Sequence, residues 1–333
     1  MSRLVLTLDT GTSNTRVRAW RDDRIVGRAE AAVGVRDTAR TGSDATLRAG
    51  IREAIHAAFA TTSKIDASER GPVLILASGM ITSGLGLLEI PHITMPANAA
   101  KLAAGMHSAQ FADIIDAPIW FIPGVRHDVA PVGLDTASRM DMMRGEETEV
   151  CGLLSHLQHA GPRVVLLPGS HAKFVEMSND ATITRCLSTL SGELLDLLIG
   201  QSVLASGLRN GWPDTLDLTA LTAGARLSQN EGVSRAAFST RVLELFSPLA
   251  EGSRFSFLLG AILVQDLLAA QANALLSRER RLVVCGRPLL QSAYAVLARD
   301  VLDLGPVDAP DQAMLGELAG YGALFIARKR GLL

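Results

Sequence analysis

The sequence predicts an α/β protein made of two halves that share one plan. Three observations carry this reading. The order strand, hairpin turn, strand, turn, strand, helix begins near residue 4 and again near residue 163, and each half later holds a continuous apolar run suited to a buried strand. The third is length: 333 residues is about twice an ordinary domain.

Leu4-Val5-Leu6-Thr7-Leu8 reads as a strand that stops at the turn Asp9-Thr10-Gly11-Thr12-Ser13-Asn14. Alternation resumes over Thr15–Trp20, Asp22-Asp23 turns the chain, and Ile25 to Val33 returns as a third strand. Leu47, Ile51, Ile55 and Phe59 recur every four residues, the stripe of an amphipathic helix, and Val73–Ala77 is apolar throughout, as a strand covered on both faces requires. In the second half Arg163–Leu167 is a strand, Pro168-Gly169-Ser170-His171-Ala172 a turn, and Lys173–Met177 a second strand. Ser178-Asn179-Asp180 turns the chain into a third strand over Thr182–Leu187, and Gly192–Leu198 opens a helix. Helical patterns run between Leu216 and Leu276, Arg281–Cys285 is the buried strand, and a helix follows from about Gln291 to Arg299. Val150, Leu153, Leu154 and Leu157 give a helix from about Glu147 to His159, and a last helix over 312–328 spaces Gly316 and Gly320 for close packing. The boundary is expected between residues 145 and 146, with helix 312–328 near a hinge.

Composition narrows the partners. Apolar residues are 48%, charged residues 20% and mean hydropathy +0.24, which excludes disorder and collagen-like repeats. A net charge of −2 and 4% aromatics provide neither a basic field nor a stacking platform, so no nucleic-acid partner is expected. No apolar run reaches the ~18 residues of a membrane span, and the start is too short for a signal peptide's apolar region. Cys151, Cys186 and Cys285 follow no metal-ligand spacing. These features point to a reduced, cytoplasmic protein acting on small molecules without a membrane; a homodimer stays open.

Neither a Gly-x-x-x-x-Gly-Lys-Ser/Thr nor a Gly-x-Gly-x-x-Gly segment is present. In their place stand two hydroxyl-rich hairpin turns, 9–14 and 168–173, at matching points of the two halves. Such turns serve either as plain hairpins or as nests whose N–H groups hold anions. Asp9 beside hydroxyls suits a Mg²⁺ bridged to phosphate.

The segments LDTGTSNTR, MRGEETEVCGLL, LPGSHAKF and VVCGRPLL resemble, in this order, the phosphate, connecting, second phosphate and adenosine segments of the sugar kinase, hexokinase and actin superfamily. PGVR, MRGEETEVCGLL, LPGSHAKFV and TLSGEL more narrowly resemble the 2-dehydro-3-deoxygalactonokinase family over nearly the whole chain. The resemblance implies two ribonuclease H-like α/β domains with an interdomain cleft, the first on the substrate side and the second holding adenosine. It also implies ATP-dependent phosphorylation of the terminal hydroxyl of 2-dehydro-3-deoxy-D-galactonate, a sugar acid, to the 6-phosphate in galactonate catabolism.

By this resemblance Asp9 orients Mg²⁺, Gly11, Thr12 and Asn14 approach phosphate, and Gly169, Ser170 and Lys173 form the facing turn. Lysine is scarce, only Lys64, Lys101, Lys173 and Lys329, though a solvent-facing role suits Lys173 as well. His171 either donates to phosphate or packs the turn. Larger carbohydrate kinases of the superfamily carry their catalytic Asp in a Gly-Asp-Gln-Gln block. Arg144-Gly145-Glu146-Glu147 occupies that place, making Glu146 the first choice for the base and Glu147 the second. Two acids in a first helical turn also compensate the helix dipole without catalysis.

A substrate carboxylate calls for a guanidinium, and Arg16, Arg126 and Arg144 are the candidates beside the motifs. Ser78, Gly79 and Met80 follow a buried strand where related kinases line the sugar site; where family members often carry Arg and Trp, this chain has Gly84–Leu88. Gly286 and Arg287 either let backbone approach adenine or form a plain strand-to-helix loop. His156 and His159, three apart with no carboxylate partner in sequence, read as surface histidines rather than zinc ligands. The second functional reading is a nucleotide-dependent binder of the chaperone or actin type, less favoured because 333 residues leave no spare domain. A sugar-sensing regulator lacks a helix-turn-helix before the first strand, and an acyl-phosphate or polyphosphate phosphatase differs from a kinase in its products.

Overall fold

A computed structural model describes residues 3–61, 73–156 and 161–333; Lys64, Leu157 and His159 lie outside them. The chain forms two compact units, one of Met1–Ala160, Asp180–Arg185 and Gly316–Leu333, the other of Gly161–Asn179 and Cys186–Leu315.

In the first unit β1 (Val5–Thr10), β2 (Thr15–Arg21) and β3 (Arg24–Ala31) form the two expected hairpins, followed by α1 (Val35–Thr41), α2 (Ala45–Thr61) and β4 (Leu74–Gly79). β1 pairs antiparallel with β2 and parallel with β4, with Asp9 beside Ser78 and Thr10 beside Gly79. Next come β5 (Ile93–Thr94), α3 (Ala99–Ala104), β6 (His107–Phe111), β7 (Ile115–Phe121), β8 (Val125–Arg126), β9 (Met142–Met143) and α4 (Glu146–Leu154). The main sheet runs β3-β2-β1-β4-β7-β6, and β5-β8-β9 make a small second sheet. Leu47, Ile51 and Ile55 of α2 are fully buried in one cluster with Leu6, Leu8 and Ile75 of the sheet, which is why the four-residue stripe forms a helix here.

The second unit repeats the topology. β10 (Arg163–Leu167), β11 (Ala172–Met177) and β12 (Ile183–Thr189) lead to α5 (Ser191–Gln201), α6 (Leu218–Glu231), α7 (Val233–Phe246) and α8 (Glu251–Ala272), then β13 (Arg281–Val284), α9 (Pro288–Val296), β14 (Val307–Asp308) and α10 (Gln312–Leu315). Its sheet runs β12-β11-β10-β13-β14, with β10 antiparallel to β11 and parallel to β13. By length and composition α8 is apolar enough to cross a membrane, with mean hydropathy 1.6 over its most apolar stretch, yet 72% of that stretch is buried. It is the core helix of this unit: Phe255, Leu258, Leu259 and Leu263 pack with Val164, Leu166 and Phe174 of the sheet.

Three expectations need correction. The last helix is not continuous over 312–328; it breaks at Gly316-Glu317 into α10 and α11 (Leu318–Arg330). Gly316 faces open space, so it does not mediate packing, whereas a Cβ on Gly320 would fall 2.3 Å from the Trp20 ring. A close helix crossing lies instead between α4 and α11, where a Cβ on Gly152 would sit 2.1 Å from Leu318 O and one on Gly322 1.8 Å from Thr148 O. This crossing places α4 and α11 in the first unit rather than at the start and end of the second.

Candidate active site

Each unit carries one hydroxyl-bearing turn at the end of its first strand. In the first, the turn after β1 closes with Gly11 N donating to Asn14 O (2.8 Å), and the amides of Val35 and Arg36, opening α1, donate to Gly11 O and Thr12 O. The carbonyls are thereby occupied. The N–H groups of Thr12 and Ser13 donate to no acceptor among the described residues, as an anion nest requires. Asp9 stands at the mouth of this turn with a side chain 23% exposed, touched by Arg16 Nη1 at 3.4 Å. Burial raises its pKa, Arg16 opposes the rise and Glu146 adds to it.

Opposite Asp9 the backbone comes unusually close. Gly79 has φ +83, and a Cβ there would lie 2.6 Å from Thr10 O and 3.2 Å from Asp9 Oδ1; Gly145 has φ +118, and its Cβ would meet Gly79 Cα at 3.1 Å. Glycine is needed at both positions, and their approach brings the first turn of α4 towards Asp9. Glu146 is half-buried, with Oε2 accepting from Arg144 N at 3.0 Å. Glu147 is fully buried: its two oxygens accept from Gly145 N at 3.0 and 2.8 Å, and Oε1 also accepts from the Thr148 hydroxyl. Burial, then the Glu146 charge, pushes Glu147 up to about 8. Glu149, one turn along α4, is likewise pushed up to about 8 by burial, then by Asp9 and Glu146.

Ser78 is buried at the end of β4, followed by Gly79 and Met80 in a tight turn. Arg144 is engaged internally. Its Nη1 donates to Thr82 O and Thr82 Oγ1 (2.6 Å), and its Nη2 donates to Ile90 O (3.0 Å) and His92 Nδ1 (3.1 Å), so it braces the segment from Thr82 to His92. Arg126, partly buried on β8, makes one long contact, from Nη1 to His127 O at 3.4 Å.

In the second unit the turn Pro168–His171 is pressed from one side by α5. A Cβ on Gly192 would sit 2.1 Å from Gly169 O, and Glu193 N donates to Ser170 O at 2.9 Å. From the other side Gly286, φ +94, lies against the Pro168 ring. Beside the turn opens a cavity of about 260 Å³ with Gly169, Ser170, Ser191 and Gly192 at one end and Leu195, Leu259, Leu263 and Leu290 along its walls. Arg287 also lines it and lies over the Trp212 ring, 4.0 Å from guanidinium carbon to ring centroid. An apolar slot with an aromatic ring and a helix N-terminus beside a hydroxyl-bearing turn fits a base, a ribose and phosphates. His171 Nε2 pairs with Glu193 Oε2 at 3.0 Å on the exposed side of the turn. Lys173 is buried on β11, its ammonium donating to the Ser188 hydroxyl.

Asp9, the first turn and the α4 acids are thus gathered in one unit, while Gly169, Ser170, Gly286 and Arg287 meet in the other. Trp212, Gly192 and His92 were not among the candidates from sequence. A lone Trp in a stretch of turn residues, a Gly opening a helix and a His flanked by Pro and Ile carry no spacing signal. Asp9 is a hard-oxygen ligand left partly open, which suits a cation that keeps most of its waters and needs one carboxylate. No group of three or more His, Cys, Asp or Glu suited to a metal occurs among the described residues.

Residues 9–316 match the family model described as 2-keto-3-deoxy-galactonokinase. A curated relative from Rhizobium meliloti (strain 1021), named probable 2-dehydro-3-deoxygalactonokinase DgoK1, is 25% identical over 272 residues, 80% of each chain. The crystal structure of a Sinorhizobium meliloti protein named for the same kinase activity shares the fold with a TM-score of 0.75 and 24% identity, covering 97% of this chain and 98% of that one. Component A of (R)-2-hydroxyglutaryl-CoA dehydratase from Acidaminococcus fermentans is similar in fold alone, with a TM-score of 0.52 and 12% identity over the full length of both chains.

Proposed function

Because the chain belongs to the 2-keto-3-deoxy-galactonokinase family, we propose a division of labour in which the second unit holds ATP and the first holds the sugar acid and moves its proton. The activity is the ATP-dependent phosphorylation of 2-dehydro-3-deoxygalactonate in galactonate catabolism. The observation that carries the division is the contrast between a leucine-lined cavity beside Gly169-Ser170 and a carboxylate group beside Gly11–Asn14.

In the proposed reaction the triphosphate lies along Gly169 and Ser170 at the N-terminus of α5, with adenine in the cavity by Trp212, Gly286 and Arg287. The nest at Gly11, Thr12 and Asn14 takes the transferring phosphate. Asp9 would hold Mg²⁺, which would neutralise charge on the phosphates. Glu146, half-buried with one oxygen unspent, accepts the proton of the terminal hydroxyl as that oxygen bonds to the γ-phosphorus and the bond to the β,γ-bridging oxygen breaks, releasing ADP. Glu147 is too deeply buried for that step and fixes Gly145 instead. Ser78, Gly79 and Met80 line the sugar chain, while Arg126 is better placed than Arg144 to meet its carboxylate because all but one of its donors are unspent. Lys173 and His171 support the second turn from below and outside. Buried thiols at Cys151, Cys186 and Cys285 suit a reduced, cytoplasmic setting.

The test is a coupled ADP-release assay over 2-keto-3-deoxy acids, neutral sugars and no acceptor. Acid-stimulated ADP release with 6-phosphate as product is expected. Slow ATP hydrolysis that no acceptor stimulates would replace this reading with the nucleotide-dependent binder.

A further inference from the structure

The small sheet of the first unit sets three side chains abreast. In β5 and β8 Ile93 pairs with Val125 and Thr94 with Arg126; in β8 and β9 Val125 pairs with Met143 and Arg126 with Met142. One step further along lie His92, Gly124 and Arg144. Ile93 N donates to Gly124 O at 2.9 Å, and a Cβ on Gly124 would fall 2.9 Å from His92 Cδ2 and 3.2 Å from Arg144 Cβ. With no side chain at Gly124, Arg144 reaches across to His92, Nη2 to Nδ1 at 3.1 Å. Alternate residues of an extended chain share a face, so Arg126, two beyond Gly124, stands on the same side next to His92.

The Arg144 contact fixes a tautomer. A guanidinium only donates, so His92 Nδ1 accepts and the proton of the neutral ring sits on Nε2. Burial, then the charges of Arg144 and Arg126, push His92 down to about 4, which keeps the ring neutral at ordinary pH. His92 Nε2–H is therefore a preset donor. Beside it Arg126, partly buried, has no carboxylate partner among the described residues, unlike Arg16 with Asp9 or Arg18 with Glu30 and Glu317. A half-desolvated guanidinium without a counter-charge is costly unless an anionic ligand supplies one.

We propose that Arg126 and His92 form the head-group site for a 2-keto carboxylate. The Arg126 fork takes the carboxylate oxygens, the His92 Nε2–H donates to the adjacent keto oxygen, and Arg144 is the positioning residue that holds the imidazole tautomer. This rests on the sugar-acid kinase reading and identifies the residues that distinguish the acid from a neutral sugar.

The test pairs steady-state kinetics with calorimetric titration of 2-dehydro-3-deoxy-D-galactonate in the absence of nucleotide. Arg126→Lys and Arg126→Ala are expected to raise the KM and Kd for the acid by about tenfold or more while the KM for ATP stays unchanged. Glutamine reproduces the donor at the Nε2 position and asparagine only the acceptor at Nδ1. His92→Gln is therefore expected to retain about tenfold more acid affinity than His92→Asn, both binding the acid more weakly than wild type. The reverse order would reduce His92 to a prop for Arg144 and overturn the proposal, as would an unchanged acid KM in both Arg126 variants. If the wild type turns over no sugar acid at all, the kinase reading falls and takes this one with it. A turned-over acid with normal KM in the variants removes only the head-group site.

Discussion

The two hairpin turns occupy the same place in the same topology, yet they are built for different work. After β1 the turn is held from behind by the amides of α1, and Asp9 shares its surroundings with three glutamates of α4. After β10 the turn is squeezed between Gly192 and Gly286, and its neighbours are leucines, Trp212 and Arg287. One half is loaded with charge and the other is shaped. The sheet order therefore decides where a turn stands, while the residues that follow the fourth strand decide its chemistry. In the first unit Gly79 admits the acidic start of α4; in the second Gly286 admits Pro168 and a cation stacked on indole.

The contrast can be broken or sharpened by substitution. The largest effect is expected at Glu146→Gln, with kcat reduced about 10²- to 10⁴-fold and ATP affinity unchanged in a nucleotide titration. A variant within tenfold of wild type would remove proton transfer from the first unit. Gly192→Ala comes next, since its methyl would sit 2.1 Å from Gly169 O. Overpacking of ~1–3 kcal/mol there should raise the ATP KM by about 5- to 150-fold with the acid KM unaltered, and equal rises in both KM values would contradict the assignment of nucleotide to that unit. Trp212→Ala is expected to weaken ATP by about tenfold or less, from loss of a stacked ring, and quenching of Trp212 fluorescence by ATP reports the same contact.

The smallest effect separates the units by pH. Glu147 keeps its proton up to about 8 when folded and loses it near the ordinary glutamate value of 4.5 when unfolded. Between these values the folded state binds the extra proton, so this contribution is complete below 4.5, falls as pH rises and is gone above about 8. Hydrogen exchange should show the first unit loosening before the second on raising the pH from 7 to 9, and Glu147→Gln should flatten that slope. His92 acts in the opposite sense. Its depressed pKa contributes stability present above the ordinary histidine value of 6.5 and lost as pH falls through about 4.

Much of this was legible in the sequence because it is local. Hairpins announced by Asp9–Asn14 and Pro168–Ala172, the α2 stripe and the apolar runs of β4 and β13 depend on neighbours in the chain, and each lies where spacing puts it. β6, β7 and the sheet β5-β8-β9 were not legible. β5, β8 and β9 are two residues each, and Pro96, Pro118 and Pro123 interrupt the alternation that marks a strand. The break between α10 and α11 was hidden because Gly316 and Glu317 fit a helical period as well as a turn. At the candidate site, the motifs singled out Asp9, Glu146, Gly169 and Gly286 as candidates, but not the internal use of Arg144. Whether a guanidinium is spent on carbonyls or left for a ligand depends on residues 52 to 62 positions away, which no local pattern encodes.

The crossing of Gly152 with Gly322 has a consequence for the order in which the chain becomes competent during synthesis. The helix that bears Glu146 is locked by residues 318–330, made after the whole of the second unit, whose residues end at Leu315. On the ribosome the second unit can close first, although the first unit begins first, reversing the usual N-terminal priority. An emerging chain would then present the cavity beside Gly169 and Ser170 before α4 is fixed. Pulse proteolysis of arrested nascent chains should find 161–315 protected before α4; simultaneous protection would contradict that order.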